Sequence, residues 1–273
     1  MLRSTQDLEH YSIGATDGDI GQVKDFYFDD DAWVVRYLVV DTGTWLTGRR
    51  VLVSPISLRE PDWIKRTLPV SISREQVKNS PDIDTHKPVS RQDENLYLGY
   101  YGLPGYWGGA GMWGDGMYPY AMTPGYVASA MTRREREREQ QAYALGELDR
   151  RRNDDPHLRS CNEVVGYHLH ASDGEIGHVD GFLLDDETWA IRYLVVNTGH
   201  WWLGHKVLIA PRWLTSVSWG EQTVSVDLDR ASVKTAPPYV AGDEWSRERD
   251  IRLYEHYGRT WYGAGAESLA SQY

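Results

Sequence analysis

Apolar positions in this chain come in short runs bounded by turn residues, the pattern of strands rather than of long helices. Residues 20–28 and 33–40 are rich in β-branched and aromatic side chains, and Asp29-Asp30-Asp31-Ala32 separates them as a hairpin loop. Asp17-Gly18 is a turn signal upstream, which leaves residues 11–15 as a first strand. Thr42-Gly43 closes the hairpin, residues 50–53 resume an apolar run before Pro55, and residues 67–72 alternate in the same style. Five or six short strands at this spacing predict a small barrel or closed sheet, because closure removes exposed edges. Ser73 followed by Gln76 is the signature of a capping box, with Asn79-Ser80-Pro81 ending that short helix. A second helix is predicted over residues 90–101.

The same pattern returns about 156 residues later. Asp17-Gly18-Asp19-Ile20-Gly21 is echoed by Asp173-Gly174-Glu175-Ile176-Gly177, and Trp33-Val34-Val35-Arg36-Tyr37-Leu38-Val39-Val40 by Trp189-Ala190-Ile191-Arg192-Tyr193-Leu194-Val195-Val196. The register runs without a gap to Pro81 and Pro237, with roughly 31 of about 71 positions identical. It survives into the tails, where Ser90-Arg91 meets Ser246-Arg247 and Tyr101-Gly102 meets Tyr257-Gly258. With so long a period and no third copy, this is a tandem pair. The expected organisation is a first barrel over 1–95, a linker over 96–155, a second barrel over 156–250 and a tail over 251–273. The fold class is therefore mainly β: two tandem small barrels, each followed by a short helix and tail. The two copies are expected to pair with each other within the chain, as duplicated domains mimic a homodimer.

The linker has its own composition. Residues 96–126 are mostly Gly, Tyr, Trp, Met and Pro, a density of Gly and Pro that argues against regular structure, and residues 133–139 then alternate Arg and Glu. Ordinary tethers carry few aromatics, so this one is either an adhesive segment or a sticky spacer. Across the chain 12 Trp and 18 Tyr stand against 3 Phe, so most rings carry a polar handle suited to half-wet sites and interfaces.

Charge and cysteine content remove several roles. Forty acidic residues against 29 basic ones give a net charge of −11, which opposes general nucleic-acid binding. One cysteine, Cys161, excludes an intramolecular disulfide. No window of about 18 apolar residues exists for a membrane span, and the N-terminus shows no signal-peptide pattern, so a cytoplasmic location is expected and a membrane would be met only peripherally.

The Asp-Gly-x-Ile-Gly turn, the Trp-x-x-Arg-Tyr-Leu-Val-Val strand and the Val51-Leu52-Val53-Ser54-Pro55 strand resemble the PRC-barrel family, the barrel of the photosynthetic reaction-centre H subunit and of the ribosome-maturation factor. Residues 75–81 and the tail from Pro88 to Gly102 are similar to free-standing bacterial members. The resemblance covers about two-thirds of the chain in two copies. Nothing here resembles the H subunit's membrane anchor or the ribosome factor's preceding domain. The resemblance implies a non-enzymatic binding or assembly module that meets an unidentified protein partner. An electron-transport accessory at the membrane and an RNA- or ribosome-associated assembly factor are the competing roles. No catalytic residue is shared across the fold, and no nucleophile, base and oxyanion set assembles from the motifs, so neither an enzyme nor a cofactor is expected.

Several residues stand out chemically. Arg36 and Arg192 interrupt apolar strands, and a buried arginine needs a carboxylate: Asp29 or Asp30 for the first, Asp185 or Asp186 for the second. Asp29-Asp30-Asp31 reads as a solvated turn in preference to a cation site. His168 and His170 face one side of a strand, compatible with metal binding, but no metal motif surrounds them and copy one has no matching histidines, so surface histidines and no metal are expected. Trp45, Trp201 and Trp202 follow the Thr-Gly turns, and Tyr106, Trp107 and Trp113 stud the linker. These six are the candidate interaction surface, with packing the equal alternative for the first three.

Overall fold

The computed structural model describes residues 1–81, 89, 91–107, 111–123, 157–199, 205–243 and 245–261. It is mainly β, with two mixed sheets, one for each copy of the repeat. The chain divides into two compact units that cut across the repeat boundaries. The first comprises Arg3–Glu163 with Leu184–Ile191, and the second Met1–Leu2, Val164–Leu183 and Arg192–Tyr273.

β1 (Leu2–Ser4), whose first residue belongs to the second unit, leads into α1 (Thr5–Leu8), where the Ser4 hydroxyl accepts the Gln6 amide as N-cap. The sheet of the first unit is built from β2 (Ser12–Ala15), β3 (Gly18–Asp29), β4 (Val34–Asp41), β5 (Arg50–Val53) and β6 (Thr67–Pro69), in the order β5-β4-β3-β2-β6. All ladders are antiparallel except β2–β6. Gly21 makes the β3–β4 crossing possible: it sits at φ +156°, and a Cβ there would lie 2.0 Å from the Asp41 carbonyl oxygen. The capping box at α2 (Arg74–Lys78) forms as the sequence predicts, with Ser73 and Gln76 each accepting the other's amide.

β3 is long enough to take a second neighbour. Beyond β2, its Tyr27, Phe28 and Asp29 pair antiparallel with Ser160, Arg159 and Leu158 of β7 (Leu158–Ser160). β7 repeats the Leu-Arg-Ser of β1 and leads into α4 (Cys161–Val164). Residues 184–191, the hairpin tip of the second repeat, also belong here: Val34 bridges Ala190, Val35 N–H donates to Trp189 O, and Ile191 N–H donates to Trp33 O. Trp33 and Trp189 are repeat equivalents, and both adopt left-handed φ values, 54° and 61°. For bulky residues that strain persists only where surrounding contacts hold it.

The aromatic linker is structured over its described part. α3 (Arg91–Tyr101) buries Tyr97 and Leu98 against Tyr27, Tyr37, Val39 and Leu52 of the sheet, with Val89 and Leu158 in the same cluster. A string of backbone bonds follows, from Gly111 to Gly114 and from Trp113 to Gly116, with Gly114 N–H donating to Tyr106 O. Glycine density suits that winding path, because aromatic rings, not a regular ladder, supply the burial.

The second unit carries β8 (His168–Ala171), β9 (Gly174–Asp185), β10 (Ile191–Asn197), β11 (Lys206–Ile209), β12 (Leu214–Ser218) and β13 (Thr223–Val226), in the order β11-β10-β9-β8-β13-β12. The hairpin ends of β9 and β10, within Leu184–Ile191, are counted in the first unit. β8 and β13 run parallel, as β2 and β6 do in the first copy. α5 (Arg230–Lys234), capped by Asp229, and α6 (Arg247–His256), capped by Ser246, complete the unit.

Candidate functional site: buried polar clusters under the tails

Arg36 is the polar centre of the first unit. It lies in β4, whose residues are buried on both faces from Val34 to Val40, at the register shift between Val35 and Tyr37, and only 3% of it is exposed. Its Nη2 lies 3.4 Å from Asp29 Oδ2, across the hairpin as the sequence suggests. Nη1 donates to the Met112 carbonyl, and the guanidinium carbon sits 3.8 Å from the Tyr106 ring centroid and 4.8 Å from that of Trp113. A guanidinium suits this slot because its plane stacks on rings while its edges donate. Asp29 also caps its own loop, its Oδ1 accepting the amides of Asp31 and Ala32.

A carboxylate lies close by. Glu94 of α3 is fully buried; it accepts Tyr106 Oη at 2.6 Å and faces His157 Nε2 at 2.8 Å. Burial, then the neighbouring Glu94 charge, push the Tyr37 phenol well above its ordinary range. Tyr97 joins sheet and helix, donating to Leu52 O and accepting Ser54 N–H. The second unit repeats the theme at the equivalent position: Asp250 of α6 accepts Tyr193 Oη, Trp245 Nε1 at 2.8 Å and Trp261 Nε1 at 3.1 Å. Tyr37 and Tyr193 are repeat equivalents, so in each copy a tail-helix carboxylate lies beneath the same strand tyrosine. The Ser90-Arg91 to Ser246-Arg247 register already aligned Glu94 with Asp250; their shared acidity was the signal available.

The structure distributes the other candidates unevenly. Asp30 pairs with Arg159 at 2.9 Å, and burial raises its pKa against the opposing pull of that arginine. Asp186 pairs with Arg3 at 3.0 Å, and Asp185 caps its loop through Thr188. Arg192 is half-buried in the second unit, whereas Asp185 and Asp186 belong to the first. The oxygens of Asp29, Asp30 and Asp31 lie within 4.8 Å of one another, but two of the three carboxylates are already engaged by arginines.

The linker aromatics need correction as an interaction surface. Tyr106 and Trp113 are 4% and 0% exposed, because they wall the Arg36 slot, and Trp113 Nε1 donates to Thr188 O at 2.9 Å. Trp107 is half-buried, edge-on to Tyr106 with centroids 5.0 Å apart. Trp45 is half-buried too, donating to Ile20 O beneath the Arg74 guanidinium. Trp201 and Trp202 lie outside the described residues.

No long apolar helix able to cross a membrane occurs among the described residues. Cys161 is buried, and burial raises its thiol pKa well above the ordinary value, which suppresses the reactive thiolate. Comparison with curated proteins finds none that matches the sequence. A family model for the PRC-barrel domain matches residues 6–76, the span from α1 to α2 that encloses the sheet of the first unit. Residues 6–76 are therefore identified as a PRC-barrel domain.

Proposed function

We propose that the chain is a non-enzymatic binding module that captures an extended segment of a partner protein along β12. The observation that carries this is a difference between the two copies at one sheet edge. Among the described residues β12 has a single neighbour, β13, and its Thr215 and Ser216 are exposed. Leu214-Thr215-Ser216-Val217-Ser218 contains no charge and no proline. The equivalent stretch of copy one, Leu58-Arg59-Glu60-Pro61-Asp62, carries charge, proline and charge, the devices that keep an edge from pairing. An open edge offers main-chain donors and acceptors that add a strand without any catalytic group. The polar groups with chemical potential, Arg36, Glu94 and Asp250, hold the tails to the sheets instead.

The test transplants the blocked edge. The double variant Thr215→Arg, Ser216→Glu gives β12 the residues of copy one at positions that face solvent. Proteins co-purifying with the wild-type chain from its native cell should be lost with the variant, while circular dichroism stays unchanged. Equal recovery with both chains removes the edge from consideration.

A further inference from the structure

The second unit places a set of metal-ligand side chains on one open sheet face. In the antiparallel β8–β9 pair His168 lies directly opposite His178, and His170 lies opposite Glu175. The register shifts between Leu169 and His170, where β9 spends two residues, Ile176 and Gly177, against Leu169. That bulge keeps all four side chains in phase. Directly opposed residues share a face, as do residues two apart on a strand. Burial agrees: Leu169, Ala171, Ile176 and Val179 point inward, His168 and Glu175 are exposed, and His170 and His178 are half-buried. His168 Nδ1 already lies 2.8 Å from Glu175 Oε1. On the far side of β8, Thr223 and Ser225, both with small side chains, pair with His168 and His170.

We propose that His168, His170, His178 and Glu175 bind a divalent transition-metal ion of the zinc class. Imidazole nitrogen and carboxylate oxygen together suit a borderline ion, and four such donors match tetrahedral coordination. Opposed Cβ atoms in an antiparallel pair are about 4.5–5.5 Å apart, so two imidazoles can each approach one ion at about 2.0–2.1 Å. No three of these four donor groups lie within 4.8 Å of one another; the one close pair is His168 and Glu175. Convergence requires rotation of exposed His168 and of half-buried His170 and His178, and the ion supplies the free energy to hold them. Copy one has Ser12, Gly14, Asp19 and Gln22 at these positions and the same strand register, so its matching face lacks the donors. The site is a property of the second copy, separate from the edge on β12.

Isothermal titration of the full chain with Zn²⁺ alone, reversed by EDTA, tests this. The wild type should show saturable one-to-one binding and a zinc-dependent rise in melting temperature. His168→Gln and His178→Ala should each weaken binding at least about tenfold. His10→Ala, outside the face, should leave it unchanged. Should His178→Ala fail to fold, the pair His168→Gln and Glu175→Gln decides the matter, because both side chains are exposed. Absence of saturable binding, or equal affinity in the wild type and the face variants, overturns the assignment.

Discussion

Replacing Arg36 by alanine removes three interactions at once. Asp29 Oδ2 loses its cation, although Oδ1 keeps two backbone donors, so the carboxylate is weakened and not stranded. The half-buried Met112 carbonyl loses its donor, a loss of about 1 kcal/mol. The faces of Tyr106 and Trp113 lose a desolvated cation, worth up to about 2 kcal/mol. These terms share one cavity and do not simply add; the expected cost is about 3–5 kcal/mol, the range for breaking a buried ion pair from one side. Arg36→Lys keeps the charge but not the planar fork, so its cost should be about half as large. Urea unfolding followed by near-ultraviolet circular dichroism, which reports on the packed Trp113 environment, provides the assay. A cost below about 1 kcal/mol for Arg36→Ala would refute the reasoning, since an arginine walled by two buried rings could not be removed so cheaply.

Four further outcomes follow from the packing. Glu94→Ala should destabilise by about 2 kcal/mol by removing the carboxylate that Tyr106 and His157 share, and Asp250→Ala by at least as much, since three donors lose their acceptor; urea midpoints measure both. Gly21→Ala and Gly177→Ala should each cost on the order of 3 kcal/mol or leave the chain insoluble, because the added Cβ meets a backbone carbonyl oxygen at 2.0 and 2.1 Å; melting temperatures within a degree of wild type would contradict the geometry. Burial raises the pKa of Asp25 above 3.8 in spite of its bonds from Ser160 and the Phe26 amide. A raised folded value means that its contribution is present below the unfolded pKa and lost as pH rises through the folded one, so Asp25→Asn should flatten this loss in melts taken upward from pH 4. The Cys161 thiol should react with a disulfide reagent only after denaturation; rapid labelling of the native chain would show that its cover opens.

Much of the local structure was legible. The Asp-Gly turns, the paired strands around Asp29–Ala32, the capping box at Ser73 and Gln76, and the helix ending at Tyr101 all rest on interactions within a few residues, which periodicity and turn chemistry record. Arg36 facing Asp29 was legible for the same reason, because a hairpin brings residues seven apart in sequence within reach across its two strands. The candidate site was legible only in part. Glu94 and Asp250 sit on polar, weakly amphipathic helices, and nothing local distinguishes them from solvated acids; their burial arises from tyrosines and tryptophans supplied by distant segments. The glycine-rich stretch offers no period at all, so its path is set by Arg36, which collects Met112, Tyr106 and Trp113 around one guanidinium.

Sequence alone determined the duplication, the strand order within each hairpin and the chemistry available at each face, since identity at a constant offset and alternation of burial are one-dimensional properties. Only the tertiary structure decided which surfaces those elements cover. β7 joins the sheet of the first copy, and residues 184–191 close on Trp33 and Val35, because an unpaired strand end satisfies its backbone groups with whichever edge is in reach. That choice depends on geometry between residues 129 and 135 positions apart, and no local pattern encodes it.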